Sequence, residues 1–189
     1  MRIVAGRFRG RALAAPADQR IRPTSDRVRE AVFNILAHGC EGFDIEGANV
    51  IDLFAGTGAL GLEALSRGAR ACLFVEEDAE ARGLIRQNIE ALQLTGQTRL
   101  YRRDATDLGP AGNREPYALA FLDPPYGKGL GEKALASAIA GGWLRPGALI
   151  VLEERAGVDI AWPKGCRGIE ARTWGDTSVH FGVCDRAAT

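Results

Sequence analysis

Long apolar runs are missing from this sequence. A membrane span needs about 20 consecutive, mainly apolar residues; no stretch approaches that, so no transmembrane segment is expected. The opening, MRIVAGRFRGRALAAP, scatters its arginines and has no apolar core, so no signal peptide is expected either. Histidine is nearly absent. His38 and His180 are the only two, far apart and without metal-ligand spacing to another ligand. The four cysteines, Cys40, Cys72, Cys166 and Cys184, form no CxxC pair. That argues against zinc and against a disulfide framework; buried free thiols in a reducing cytosol account for them. There is no internal repeat and no low-complexity linker. What remains is 189 residues, 46% hydrophobic and 25% charged, which is the composition of one ordinary globular domain over 1–189. A monomer in the cytoplasm is expected.

Net charge is also missing, but its distribution is uneven. Residues 1–30 hold eight arginines against Asp18, Asp26 and Glu30, a balance of +5 that the rest of the chain cancels. A basic end on a neutral chain suits a phosphate backbone, and on charge alone it equally suits a solvated face. Residues 2–14 alternate loosely between Gly6 and Gly10 and read as a short hairpin. In RIRPTSDRVREAVFNIL, Pro23 breaks the chain, Thr24 or Ser25 can cap a helix, and Val28, Val32, Ile35 and Leu36 share a helical face. Arg27 and Arg29 stand near the start of that helix, where its dipole disfavours cations. We read 1–40 as a basic extension.

From Asn49 the pattern becomes strand, turn, helix, repeated. NVIDLF, ACLFVEE, TRLYRRD, YALAFLD and ALIVLEE read as strands. ALGLEALSRG, DAEARGLIRQNIEALQL and GEKALASAIAGGW read as helices, and two weaker strands, CRGIEART and TSVHFGVC, follow. This alternation predicts a doubly wound, mostly parallel, seven-stranded α/β sheet. In such sheets ligands sit beyond the carboxyl ends of the strands. Asp52, Glu76, Asp104 and Asp123 all fall at predicted strand ends, so four carboxylates are expected on one rim. Trp143, Trp162 and Trp174 read as packing residues.

The stretch DLFAGTGALG, Asp52 to Gly61, spells Gly-x-Gly-x-x-Gly, the fingerprint of a nucleotide loop. Gly56 and Gly58 permit a tight turn and close approach of a ligand. Glu76, about twenty residues on, is placed to accept from ribose hydroxyls. A pyrophosphate and a sulfonium nucleoside would both use these features, but Asp52 separates the two. Its carboxylate repels a pyrophosphate and suits the ammonium of a methionine moiety, directly or through water. S-adenosylmethionine therefore fits better than NAD, with Asp104 in reach of an adenine amine. The discriminating stretch is FLDPPYGKG. Two prolines fix φ and lack N–H groups, so carbonyls after the strand are rigidly aimed. The Asp123 carboxylate and Pro124 carbonyl can accept the two protons of a nucleobase amine, and Tyr126 can stack on a base drawn out of its helix. Lys128 reads as an exposed loop lysine.

The motifs MRIVAGRFRGR, RPTSDRVREAVFNIL, DLFAGTGALGLEALSRGA and FLDPPYGKG resemble the bacterial small-subunit (16S) ribosomal RNA guanine-N2 methyltransferase family, from Met1 to about Leu152. The resemblance implies a Rossmann-like class-I methyltransferase fold. It implies methyl transfer from S-adenosylmethionine to the exocyclic N2 of one guanine, on free ribosomal RNA or a partly assembled subunit. Adenine N6 is the alternative target. By motif match Asp52, Phe54, Ala55, Gly56, Gly58, Glu76, Asp104 and Ala105 fall at cofactor positions, and Asp123, Pro124 and Tyr126 at target-amine positions. Arg22, Arg27 and Arg29 match the block assigned to RNA phosphates.

Overall fold

A computed structural model describes residues 1–17, 24–40 and 42–185. Its centre is a seven-stranded sheet in the order β3-β2-β1-β4-β5-β7-β6. The strands are β1 (Asn49–Leu53), β2 (Ala71–Val75), β3 (Thr98–Tyr101), β4 (Tyr117–Leu122), β5 (Leu144–Arg155), β6 (Cys166–Trp174) and β7 (Thr177–Cys184). β1 to β5 run parallel, while β7 is antiparallel to both β5 and β6. The chain leaves β1 towards β2 and β3, then crosses back to lay β4 on the other side of β1. That reversal makes the crevice beyond β1 and β4 the topological switch point, where such sheets receive ligands.

Helices cover both faces. α1 (Asp26–His38), α2 (Ala59–Ser66) and α3 (Ala79–Ala91) contribute Phe33, Leu62 and Ile85 to one core, against Val50, Phe121 and Val151 of the sheet. α4 (Leu130–Ala140) contributes Ala134 and Leu135 to the other, with Ile51, Leu122, Leu152 and Trp143. Ser25 is the residue that caps α1, its hydroxyl accepting from Val28 N at 3.2 Å. Asp78 caps α3 in the same way, through Ala81 N at 2.8 Å. The N-terminal hairpin is reduced to a single bridge, Arg2 to Ala12. Gly10 N adds a bond to the Ile3 carbonyl at 2.9 Å, and Arg7 N ties the segment to the end of α2 through the Ser66 carbonyl at 2.8 Å. Gly6 (φ 81°) lies so close to Ser66 that a Cβ there would stand 2.0 Å from its carbonyl oxygen.

β5 starts earlier than the apolar run ALIVLEE suggests, at Leu144, and takes in Pro146 and Gly147. The register against β4 jumps from Tyr117↔Leu144 to Leu119↔Leu149, so the irregularity absorbs the proline, which cannot donate to a ladder. The last glycine of the fingerprint, Gly61, packs α2 on β2. A Cβ there would meet Phe74 Cε1 at 2.5 Å and Cys72 Sγ at 2.6 Å. Gly61→Ala should therefore lower unfolding stability by about 1–3 kcal/mol through overpacking, as measured by urea titration; an unchanged midpoint would refute this packing.

Candidate active site

The β1–α2 turn is held open by three left-handed residues, Phe54 (φ 57°), Gly56 (φ 58°) and Gly58 (φ 79°). Phe54 is not a glycine, and a side chain in that region costs roughly 1–2 kcal/mol. The loop's amides are committed inside the protein. Gly56 N donates to Glu76 Oε2 at 2.8 Å, Gly58 N to the Ala55 carbonyl at 2.7 Å, and Gly61 N to Asp52 Oδ2 at 3.0 Å. A pyrophosphate needs free N–H donors at such a loop, and here two of the three face carboxylates. Glu76 directly follows β2, half-buried, with Oε1 accepting Asp78 N at 2.8 Å. Each of its oxygens retains a lone pair for a hydroxyl. These residues fit a cationic nucleoside and do not fit NAD.

Asp52 departs from the expected rim. It is 1% exposed and turned under the loop, because it lies within β1, one residue short of the strand's end, on the face α2 covers. Burial, and next the charge of Glu76, push its carboxyl well above the ordinary carboxylate range; the bond from Gly61 N pulls the other way. Asp104 is exposed beyond β3, its Oδ1 accepting from Thr106 N at 2.8 Å and from the Thr106 hydroxyl at 2.7 Å, beside buried Ala105.

Asp123-Pro124-Pro125-Tyr126 leaves β4 next to this loop. From the pairs Leu122↔Leu152 and Asp52↔Phe121, Asp123 continues the face of Asp52 and stands beside Glu153 of β5. Burial first, then the charges of Glu153 and Asp52, hold the Asp123 carboxyl well above its ordinary value. The Tyr126 hydroxyl donates to Glu153 Oε1 at 2.5 Å and lies 3.2 Å from Thr177 Oγ1. Its acidity is suppressed by burial and by that bond. Residues 1–183 match the family model described as conserved hypothetical protein 95. The chain is 33% identical to the ribosomal RNA small subunit methyltransferase D of Haemophilus influenzae, over 96% of this chain and 92% of that one.

The chain belongs to the small-subunit ribosomal RNA methyltransferase D family.

The same-named Escherichia coli K12 protein is 39% identical over 81% of this chain and 74% of its own. Among solved structures, yhhF of E. coli aligns with a TM-score of 0.82 at 32% identity, covering 98% of both chains. The Thermus thermophilus protein TTHA0928 aligns at 0.74 and 29%, covering 96% of this chain and 98% of its own. S-adenosylmethionine is the expected cofactor of a chain in this family, in keeping with the carboxylates around the glycine loop.

The basic block needs correction. Arg29 does not face solvent. It is 0% exposed; its guanidinium meets Asp26 Oδ1 at 2.9 Å, approaches Glu63 Oε2 to 3.5 Å, and donates to the carbonyls of Arg2 and Thr24. Those acceptors compensate the buried cation, so phosphates are not its partners here. Arg27 is exposed on the first turn of α1, and Lys128 is exposed beyond the tyrosine turn. Arg22 lies outside the described residues. Trp143 is 1% exposed with Nε1 donating to the Gly109 carbonyl at 2.8 Å, Trp162 lies over Gly168 and Gly182, and Trp174 packs on the larger core. Among the described residues no helix is long and apolar enough to cross a membrane, and no group of three His, Cys, Asp or Glu could hold a metal.

Sequence reasoning missed Glu153. It is 7% exposed, yet both its oxygens are engaged beside Asp123. The signal was available: ALIVLEE ends in acid at the same sheet edge as the other carboxylates.

Proposed function

We propose that this chain methylates the exocyclic N2 of a guanine in small-subunit (16S) ribosomal RNA. The observation that carries the reading is the Asp123–Tyr126 turn at the switch point, adjoining a glycine loop in which the Gly56 and Gly61 amides are spent on carboxylates. S-adenosylmethionine supplies an electrophilic methyl on a sulfonium, which leaves as a neutral thioether. Phe54, Ala55, Gly56, Gly58, Glu76, Asp104 and Ala105 would hold it, while Asp52 braces the loop from beneath through Gly61 N. The chain's own part is positioning. Asp123 and the Pro124 carbonyl each accept one proton of the amine, which aims the nitrogen at the methyl carbon. Because burial raises its basicity, Asp123 is also a fit acceptor for the proton the nitrogen sheds after transfer. Tyr126 supplies a half-buried aromatic surface for the extruded base, a role within reach of the ribosomal RNA named in the relatives.

Exposed Arg2, Arg7, Arg9, Arg11 and Arg27 surround the N-terminal segment and would meet phosphates, in free RNA or an assembling subunit, giving salt-sensitive binding. The test is transfer of labelled methyl to ribosomal RNA from cells lacking this protein, followed by nucleoside analysis. N2-methylguanosine is the expected product. N6-methyladenosine would replace this reading with the adenine alternative, and an unlabelled RNA would overturn both.

A further inference from the structure

Beyond the target-amine residues named above, one buried carboxylate joins three parts of the fold. Glu153, near the end of β5, is 7% exposed and takes two hydroxyl donors from opposite directions. Thr24, just before α1, gives its proton to Oε2 at 2.8 Å; Tyr126 gives its proton to Oε1 at 2.5 Å. Because Tyr126 has spent its only proton, Thr177 of β7 must be the donor across the 3.2 Å contact between them. Thr24 Oγ1 also lies 3.4 Å from Asp123 Oδ2. The arrangement is directional. Both bonds end on Glu153 as acceptors, and only a carboxylate offers two free oxygens for two donating hydroxyls.

From this geometry we infer that Glu153 is a positioning residue, which fixes the Tyr126 ring through its hydroxyl and ties it to the N-terminal segment through Thr24. The segment that carries Arg27 thereby reaches the base-binding turn through one side chain. RNA contact by the basic extension and placement of the target base are coupled through it. The inference rests on Tyr126 being the base platform, but not on which base it holds. It also concerns the electrostatics of Asp123, which faces Glu153 on β5, Asp52 on β1 and the Thr24 hydroxyl. Removing the Glu153 charge takes away one of the two like charges that hold the Asp123 carboxyl up.

The test uses full-length protein, S-adenosylmethionine and ribosomal RNA lacking the modification, with total methyl transferred as the readout. A change of target atom therefore leaves the comparison intact, and only nucleoside analysis reports on it. Glu153→Gln keeps the shape but turns one acceptor into a donor. It should lower kcat by about 100-fold, the scale of a small misplacement at a reacting centre, with donor Kd within about two-fold of wild type. Its acid limb should move to lower pH, since Asp123 loses a like-charged neighbour; loss of fold integrity alone would not move that limb. Thr24→Val and Tyr126→Phe form a second test should Glu153→Gln fail to fold. They remove the two bonds separately, and their effects on kcat should be non-additive because both act through the same carboxylate. Full kcat in Glu153→Gln, or strict additivity of Thr24→Val with Tyr126→Phe, would overturn the inference.

Discussion

Asp123→Ala is expected to lower kcat for methyl transfer by about 10²–10³-fold, the range for deleting one preorganised polar group at a reacting centre, while donor affinity stays within a few-fold. The side chain sits on the sheet face shared with Asp52 and Glu153, and the glycine loop and Glu76 are separate from it. The loss should thus fall on kcat and RNA use, not on donor binding, as calorimetric titration with S-adenosylmethionine would show. The pH dependence follows from the same burial. The Asp123 carboxyl is raised, first by desolvation and then by Glu153 and Asp52. Only its ionised form can accept the amine proton, so the acid limb of the wild-type rate should lie above the ordinary carboxylate value of about 4. For stability the sign is the reverse. A raised carboxyl favours the folded state while it is protonated, so its contribution is complete below the unfolded value and disappears as pH rises through the folded one. Wild-type Tm should therefore fall more steeply with rising pH than that of Asp123→Ala. Retained turnover in the variant would refute the assignment of the amine acceptor.

The arrangement of strands and the location of the loops could be read from sequence because both are written in local periodicity. NVIDLF before a glycine loop and YALAFLD before two prolines declare a strand and its end within ten residues. Packing across the sheet is a different matter. Glu153 acquires its meaning from Thr24, 129 positions away, and from β4 lying beside β5. The strand end that carries Asp52 is readable, but its burial depends on α2 folding over β1. ALIVLEE leaves out the first residues of β5, and the strand takes in Pro146 only through a register shift with β4 that no local pattern encodes. The arginine block is opaque in the sequence for a related reason. Eight cations look alike in a string, and it is Glu63, contributed by another helix, together with Asp26 and the Arg2 and Thr24 carbonyls, that removes Arg29 from the set facing solvent.

That distinction among arginines gives the second large effect. Arg29→Ala should cost about 3–5 kcal/mol of unfolding stability, the range for removing one partner of a buried ion pair. Arg29 and Glu63 are both 0% exposed. Glu63 is also the hub that receives Val4 N at 2.9 Å, Ala5 N at 3.0 Å and Arg67 Nε at 2.9 Å, so hairpin, α1 and α2 all meet on its carboxylate. Taking away the guanidinium leaves Glu63 with Arg67 alone as a counter-charge, and strips the Arg2 and Thr24 carbonyls of a donor. In a chain of this length each 1 kcal/mol shifts Tm by roughly 2–4 °C, so a drop of about 6–20 °C is expected by scanning calorimetry. Arg27→Ala, two residues away but exposed, should leave Tm almost unchanged. It should instead weaken RNA binding and reduce the slope of log K against log salt by about 1. If Arg29→Ala melted like wild type and reduced the salt slope, the buried pair would be wrong and Arg29 would rejoin the phosphate-binding face.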